Sequence, residues 1–166
     1  MACFNSVRSN CQGPYYPCPV CCCACNCSSN SVVNPVIESS FAFLNLPTTA
    51  TVASGATVPV AIVFNNGTSI IATTTGEVNL AVGTYQLTYN VTSVVGASGT
   101  NSFGISINGA TFSPSITTVS GTAGETVSVS NGVIISVVNP SVIRLVNLGT
   151  DDVSVTRANL TIRKID

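Results

Sequence analysis

The sequence contains no histidine and no tryptophan, and only 7% of its 166 residues are charged. An average soluble domain carries about 25% charged residues, so this chain has little electrostatic protection against association. The absence of histidine removes the commonest general base. The acidic residues are spread thinly, and neither a glycine-rich phosphate loop nor a nucleophile elbow is present. We therefore expect a protein that is not an enzyme and uses no cofactor.

A large excess of charge of either sign is also missing, because the formal net charge is −1 at pH 7. Such a chain has no field that would attract nucleic acid or an anionic membrane. No apolar run approaches the roughly 20 residues of a membrane-spanning helix. Residues 1–8 lead into no apolar segment of the kind a secretory signal requires. We expect no nucleic-acid partner, no membrane partner and no signal peptide.

Cysteine is absent after position 27, although the chain has eight cysteines. A disulfide scaffold would scatter its sulfurs through the domain that it holds together. Here the sulfurs cannot link the later part of the chain to itself. They must pair within the N-terminal segment, bind metal, or reach another copy of the protein. The eight are Cys3, Cys11, Cys18, Cys21, Cys22, Cys23, Cys25 and Cys27.

The spacing of these cysteines favours disulfides over a metal site. Two Cys-x-x-Cys pairs occur, at 18–21 and 22–25, and zinc sites use such pairs. However, zinc pairs are usually a dozen or more residues apart, whereas these adjoin. Cysteines along one extended strand are poorly placed to bond each other, so a partner chain is favoured. Zinc, lipidation and free thiols stay as alternatives. One face of such a strand would carry Cys21, Cys23, Cys25 and Cys27.

Two regions follow from composition. Residues 1–35 form a cysteine-rich connector that ends in a Ser/Asn/Pro linker over 28–35. Residues 36–166 are predicted to be an all-β domain, because β-branched residues abound and Gly, Asn and Ser punctuate them. Thr84–Thr92 shows the clearest pattern, with apolar and polar side chains alternating as in a half-buried strand. Eight to ten such strands predict an antiparallel jelly-roll β-sandwich.

Three later segments carry specific predictions. The strand through Phe103–Ile107 should end in a turn at Asn108-Gly109. In the strand over 127–137, Asn131-Gly132 is interpreted as a hairpin turn or a bulge. A strand should begin at Val142 and continue to residue 148. In the last segment Val153 and Val155 keep one phase of the alternation, whereas residues 158, 160 and 162 keep the other. This change predicts a β-bulge.

Several of these segments resemble a known family. Leu80–Val91, Ile105–Gly109, Asn139–Leu145 and Ala158–Lys164 resemble tumour-necrosis-factor-like and complement-type jelly rolls. They are most similar to the heads of collagen-like exosporium glycoproteins of spore formers. The resemblance covers residues 36–166 and implies a homotrimeric head. It also implies that Phe41, Tyr85, Tyr89, Leu160 and Ile162 pack in the core or about the trimer axis.

The connector resembles a second group. Val20–Cys25 fits the pattern apolar-x-Cys-Cys-x-Cys and is similar to the N-terminal connector of endospore appendage (Ena-type pilus) subunits. That likeness implies a spore-surface or exosporium fibre protein, made in the mother cell and oxidised after lysis, whose trimers polymerise through their connectors. Some appendage subunits have core cysteines that receive the connector's sulfurs, and this chain has none. Any cross-link must join two connectors or reach another protein, such as a spore-surface anchor.

Competing functions remain at this stage. The chain could instead be a trimeric adhesive or receptor-binding tip, or a coat protein anchored through its cysteines. A metal-binding tail is a third hypothesis. Asp151-Asp152 is interpreted as a solvated turn, with a calcium site as the alternative, although two adjacent carboxylates supply few of the oxygens that calcium needs.

Overall fold

The computed structural model describes residues 40–72 and 76–166. The chain divides into two units, Met1–Asn34 and Pro35–Asp166, and the description of the second begins at Ser40. A short 3₁₀ helix, Ser113–Ser115, lies between β8 and β9. The strands are β1 Phe41–Asn45, β2 Ala50–Val52, β3 Ala61–Asn66, β4 Ile70–Ala72, β5 Glu77–Leu80, β6 Gly83–Val94, β7 Thr100–Ile107, β8 Ala110–Thr111, β9 Thr117–Ser120, β10 Thr126–Val137, β11 Ser141–Asn147 and β12 Val153–Lys164.

The strands form two antiparallel six-stranded sheets. Sheet A has the order β10-β6-β12-β1-β3, with β2 paired to β12. Sheet B has the order β4-β5-β11-β7-β8, with β9 paired to β7. Neighbours in each sheet are mostly distant in the sequence, as crossing connections between two sheets require. The predicted antiparallel jelly-roll sandwich is confirmed.

The core lies between the sheets and follows from the alternation in β6 and β12. Tyr85, Leu87 and Tyr89 point inward from β6, and Leu160 and Ile162 point inward from β12. All five side chains are buried. Full burial of a large apolar side chain contributes about 1.5–3 kcal/mol, so these two central strands supply much of the stability.

The bulge predicted in the last strand is present. Val155 is paired with Ser93 and Arg157 with Thr92, so one extra residue, Thr156, stands between consecutive pairs. Val155 and Ala158 are three positions apart and would lie on opposite faces of a regular strand, but the extra residue lets both face the core.

The interpretation of Asn131-Gly132 as a turn or bulge is wrong. β10 runs through both residues, and Asn131 is paired with Tyr89 and Gly132 with Thr88 without a register shift. Twelve residues of continuous pairing with β6 outweigh the local turn preference of an Asn-Gly pair. By contrast, Asn108 (φ 52°) and Gly109 (φ 85°) are left-handed and close the β7–β8 hairpin, as predicted.

Candidate interaction surfaces

The two core tyrosines link the sheets through their hydroxyls. The Tyr89 hydroxyl lies 2.7 Å from the Ser115 carbonyl oxygen and 3.0 Å from that of Phe103. The Tyr85 hydroxyl lies 3.0 Å from the carbonyl oxygen of Ala81 and 3.3 Å from that of Ser69. Each phenol therefore has acceptors for its proton inside the sandwich. Their position is internal packing, away from both outer faces.

Burial keeps both phenols neutral. Burial raises the pKa of Tyr85 above its ordinary value of 10.0, and the negative charge of Asp166 acts in the same direction. Burial also raises the pKa of Tyr89, partly offset by hydrogen bonds from Thr117 and Asn131. Because the neutral phenol is the donor in these contacts, the shift and the geometry agree.

Phe41 does not belong to the core, unlike Tyr85, Tyr89, Leu160 and Ile162. In β1 the side chains of Ala42 and Leu44 face inward, so Phe41 and Phe43 face outward and are half-buried. The Phe41 ring lies 5.9 Å from that of Phe64 on β3, centroid to centroid. An aromatic pair at this distance is typical of favourable tilted packing. Phe41 is therefore part of a surface.

That surface is the outer face of sheet A, and uncharged side chains cross its centre in rows. One row runs from Phe43 through Thr161 and Thr88 to Gly132. The next runs through Asn45, Asn159, Asn90 and Ser130. Threonine and asparagine side chains of moderate size give a flat face that can hydrogen-bond to a partner.

The charge on the two outer faces differs. None of the six strands of sheet A contains an aspartate or glutamate. Arginines 157 and 163 are exposed on it. On sheet B, Arg144 donates from Nε and Nη2 to Glu77 Oε1 at 2.9 and 2.6 Å. The charged side chains on the strands of sheet A are therefore all basic, whereas those on the strands of sheet B are one acid and one base that pair with each other.

A second exposed apolar feature is the edge strand β3. Five successive residues, Ile62–Asn66, are exposed, whichever face their side chains occupy. Val63 is 61% exposed and Phe64 is 54% exposed. Its place at the edge of sheet A follows from the strand order. Residues 39–76 contain no charge, but this pattern does not distinguish an edge strand from a buried one.

The Asp151-Asp152 turn has a structural use. The Ser98 amide donates to Asp151 Oδ2 at 2.6 Å, and the Ser54 amide donates to Asp152 Oδ1 at 3.1 Å. The two carboxylates thereby fasten two loops to the β11–β12 turn. Within the described ranges, no group of three or more metal-ligating side chains of the His, Cys, Asp and Glu types comes together.

A shallow cavity of about 220 Å³ lies on the sheet B side of the domain. Sites for small molecules usually measure about 300–1,000 Å³. The Arg144 guanidinium at this cavity is already bonded to Glu77. The lining residues are Gly55, Thr57, Ser106, Gly109, Thr111, Arg144, Val146 and Leu148.

The cysteines and the predicted zinc or disulfide chemistry lie outside the described residues. In the part of the chain that the structure describes, no helix has the length and apolar character needed to cross a bilayer.

Comparisons with known proteins give the fold. No protein-family model matches the sequence, and no curated protein matches it. Murine APRIL at pH 5.0 superposes with a TM-score of 0.64 at 15% identity, covering 77% of this chain and 100% of that one. The globular domain of zebrafish complement 1qA gives 0.62 at 12% identity, covering 78% and 98%. Eiger TNF from S. frugiperda gives 0.61 at 12% identity, covering 78% and 94%. The domain is thus a jelly roll of the type seen in tumour necrosis factors and complement C1q.

Proposed function

We propose that this chain is the structural, non-catalytic subunit of a self-assembling fibre on the surface of a bacterial spore. Three jelly-roll domains, called heads below, associate as a homotrimer. The connector of residues 1–35 reaches from one trimer to the next. Contacts of this head-to-tail kind do not close on themselves and so generate filaments.

The proposal rests mainly on one observation, which is that the cysteines all lie outside the β-sandwich domain. All eight cysteines precede residue 28, and a β-sandwich without cysteine follows. Sulfurs arranged in this way can lock copies together without constraining the head. Oxidation by molecular oxygen after lysis would remove two electrons and two protons from each pair of thiols, leaving an interchain disulfide. A covalently joined fibre resists extraction kinetically.

The outer face of sheet A supports the homotrimer. Its strands contain no acidic residue, and the pair of half-buried Phe41 and exposed Phe64 lies beside rows of Thr and Asn. Interfaces that are poor in charge and contain aromatic residues lose little on desolvation. The likeness to complement and tumour-necrosis-factor folds at 12–15% identity supports the fold of the head.

The absence of cysteine after residue 27 also favours a second candidate. Because no head offers a sulfur, the connector could bond a different spore-surface protein. The chain would then be a trimeric adhesive or receptor-binding tip, or an anchored coat protein. This candidate predicts discrete trimers and a ligand.

Electron microscopy of three chains tests the proposal. The full-length protein should form long uniform fibres, and a chain that begins at Val36 should form none. A full-length variant with all eight cysteines changed to serine separates the sulfurs from the rest of the connector. It should form fibres that fall apart in denaturant, whereas wild-type fibres should persist until reductant is added. Fibres from the chain that begins at Val36 would contradict the connector's role.

A further inference from the structure

The unpaired edges of the two sheets are unequal. β4 has three residues and β8 has two, so each offers fewer backbone groups to an added strand than β3 does. β10 is long, but β9 and the 3₁₀ helix lie against it, and the Asn131 side chain donates to the Pro114 carbonyl oxygen at 3.2 Å. β3 has six residues, and among the described strands it is paired only with β1. β4 meets its C-terminal end, where the Asn65 side chain donates to the Ile70 carbonyl oxygen at 3.0 Å.

β3 lacks most of the devices that protect an edge strand. Natural edges are usually short, carry lysine or proline, or are covered. Residues 61–66 contain neither lysine nor proline, and Ile62, Val63 and Phe64 are all exposed. An uncovered apolar edge of this kind is a template for an incoming strand.

One protective device is present, and it limits what can bind. The register with β1 shifts at Phe43/Leu44, so Val63 is a bulged residue. A bulge bends the strand and interrupts regular pairing. It therefore disfavours flat pairing of two β3 edges from two heads.

The chain itself supplies such a segment. Thirty-nine residues precede Ser40, and an extended chain of that length spans about 130 Å. A head of this size has a radius of gyration of about 14 Å, so the segment is long enough to reach another copy. Ser40 is buried and fixed, since its carbonyl oxygen accepts from the Lys164 amide at 2.9 Å.

The charge of the N-terminal segment is compatible with its docking at β3. Residues 1–39 contain one basic residue, Arg8, and one acidic residue, Glu38. Residues 39–76, which include β3 and both flanking loops, contain no charge. Docking would bury apolar and backbone groups without desolvating an ion pair.

We propose that the exposed edge of β3 is the acceptor at which the N-terminal connector of a neighbouring copy adds a strand. This inference rests on the proposed function, because it names the contact that would join successive heads. It assigns the contact to residues 61–66, with the apolar side chains of Ile62, Val63 and Phe64 receiving the incoming segment.

A pair of exposure-matched variants of the full-length protein tests the assignment. Val63 on β3 is 61% exposed, and Ile71 on β4, at an edge of sheet B, is 60% exposed. V63K should lower the yield of sedimentable fibre at least about tenfold relative to I71K, because an edge lysine opposes strand addition. Equal thermal unfolding midpoints would show that both variants fold. Equal fibre yields would overturn the assignment.

Cross-link mapping gives an independent readout. A heavy-isotope-labelled V63C chain, with all eight native cysteines changed to serine, is mixed with unlabelled wild type and gently oxidised. A disulfide joining the heavy β3 peptide to a light connector peptide is expected, and an I71C chain treated likewise should give little of the corresponding cross-link.

If wild-type fibres form but the link appears at position 71 and not at 63, the assignment of β3 as the acceptor is wrong while the fibre proposal holds. If the link at 63 forms and no fibre does, the acceptor stands and the fibre proposal fails.

Discussion

At the scale of single residues, the polar atoms inside the sandwich decide how the two sheets are fastened. Tyr89 belongs to β6 in sheet A, yet its hydroxyl meets the carbonyl oxygen of Phe103 in β7 of sheet B. Ser115 reinforces the same point, since its hydroxyl lies 2.7 Å from the Ile105 amide nitrogen. Within the described residues, every buried side-chain nitrogen or oxygen atom has a hydrogen-bond partner.

Removing one tyrosine hydroxyl should lower the free energy of unfolding. Y89F leaves the Ser115 and Phe103 carbonyl oxygens without their buried donor, and we expect a loss of about 1–2 kcal/mol in the free energy of unfolding. Y85F should cost less, because its acceptors lie farther away, at 3.0 and 3.3 Å. Urea unfolding of both variants measures the difference. An unchanged midpoint for Y89F would mean that the hydroxyl does not fasten the sheets.

The same two phenols predict a dependence on alkaline pH. Their pKa values are raised in the folded state above the ordinary 10.0. Folding therefore favours the protonated form, so their contribution is fully present below pH 10 and is lost as the pH rises through the folded pKa. Unfolding midpoints should fall above about pH 10 in wild type and fall less in the Y85F/Y89F double variant. Parallel curves would contradict the assignment to these tyrosines.

At the scale of strands, two Asn-Gly pairs adopt opposite conformations. Gly109 has φ of 85° in a hairpin turn, whereas Gly132 is not among the positive-φ glycines and lies in β10. A Cβ at position 132 would meet the Thr88 hydroxyl oxygen at 3.5 Å, which is an ordinary contact. G132A should therefore stabilise the fold by about 0.5–1 kcal/mol, because glycine weakens a strand interior.

G109A, in contrast to G132A, should lower the free energy of unfolding. Open space surrounds the added methyl group, but the left-handed backbone strains any residue with a Cβ, at a cost of about 1 kcal/mol. Thermal unfolding of the two variants side by side gives the comparison. If G132A destabilised the protein as much as G109A, the continuous pairing of β10 would be in doubt.

These two glycines also show what the sequence could predict about the fold. Alternation located β6, β7 and β12, and the phase change at Val155 located the bulge, because both patterns record which side chains face the core. The conformation of Asn131-Gly132 depends on pairing with β6, whose residues lie some forty positions earlier in the chain. No local pattern carries that information.

The candidate surfaces were less predictable for the same reason. Tyr85, Tyr89, Leu160 and Ile162 were expected to pack in the core or at a trimer axis, and the structure places them in the core. Phe41 was grouped with them, yet its strand turns it outward toward Phe64. Which strand is an edge is a property of sheet order, so the exposure of β3 could not be predicted from its apolar residues.

At the scale of the whole molecule, the charged side chains are distributed unevenly over the two outer faces. The outer face of sheet B carries the ion pair Glu77–Arg144, and the acids Asp151 and Asp152 lie in a turn. Sheet A has a neutral centre and an exposed edge at β3. The domain therefore offers two different surfaces, to which we assign one proposed contact within a trimer and one between trimers.

The first of these contacts leads to a prediction about oligomeric state. Thr88 is exposed at the centre of the outer face of sheet A, between Thr161 and Gly132. T88E would place a carboxylate where the proposed trimer buries this face, and an unpaired buried charge costs several kcal/mol. Analytical ultracentrifugation of chains that begin at Val36 should therefore show monomers for T88E and trimers for the chain without this substitution. N79E, at an exposed position of β5 in sheet B, is the matched control and should stay trimeric. Trimers of T88E would show that the head associates through another surface, and monomers of the control would show that the charge acts without regard to position.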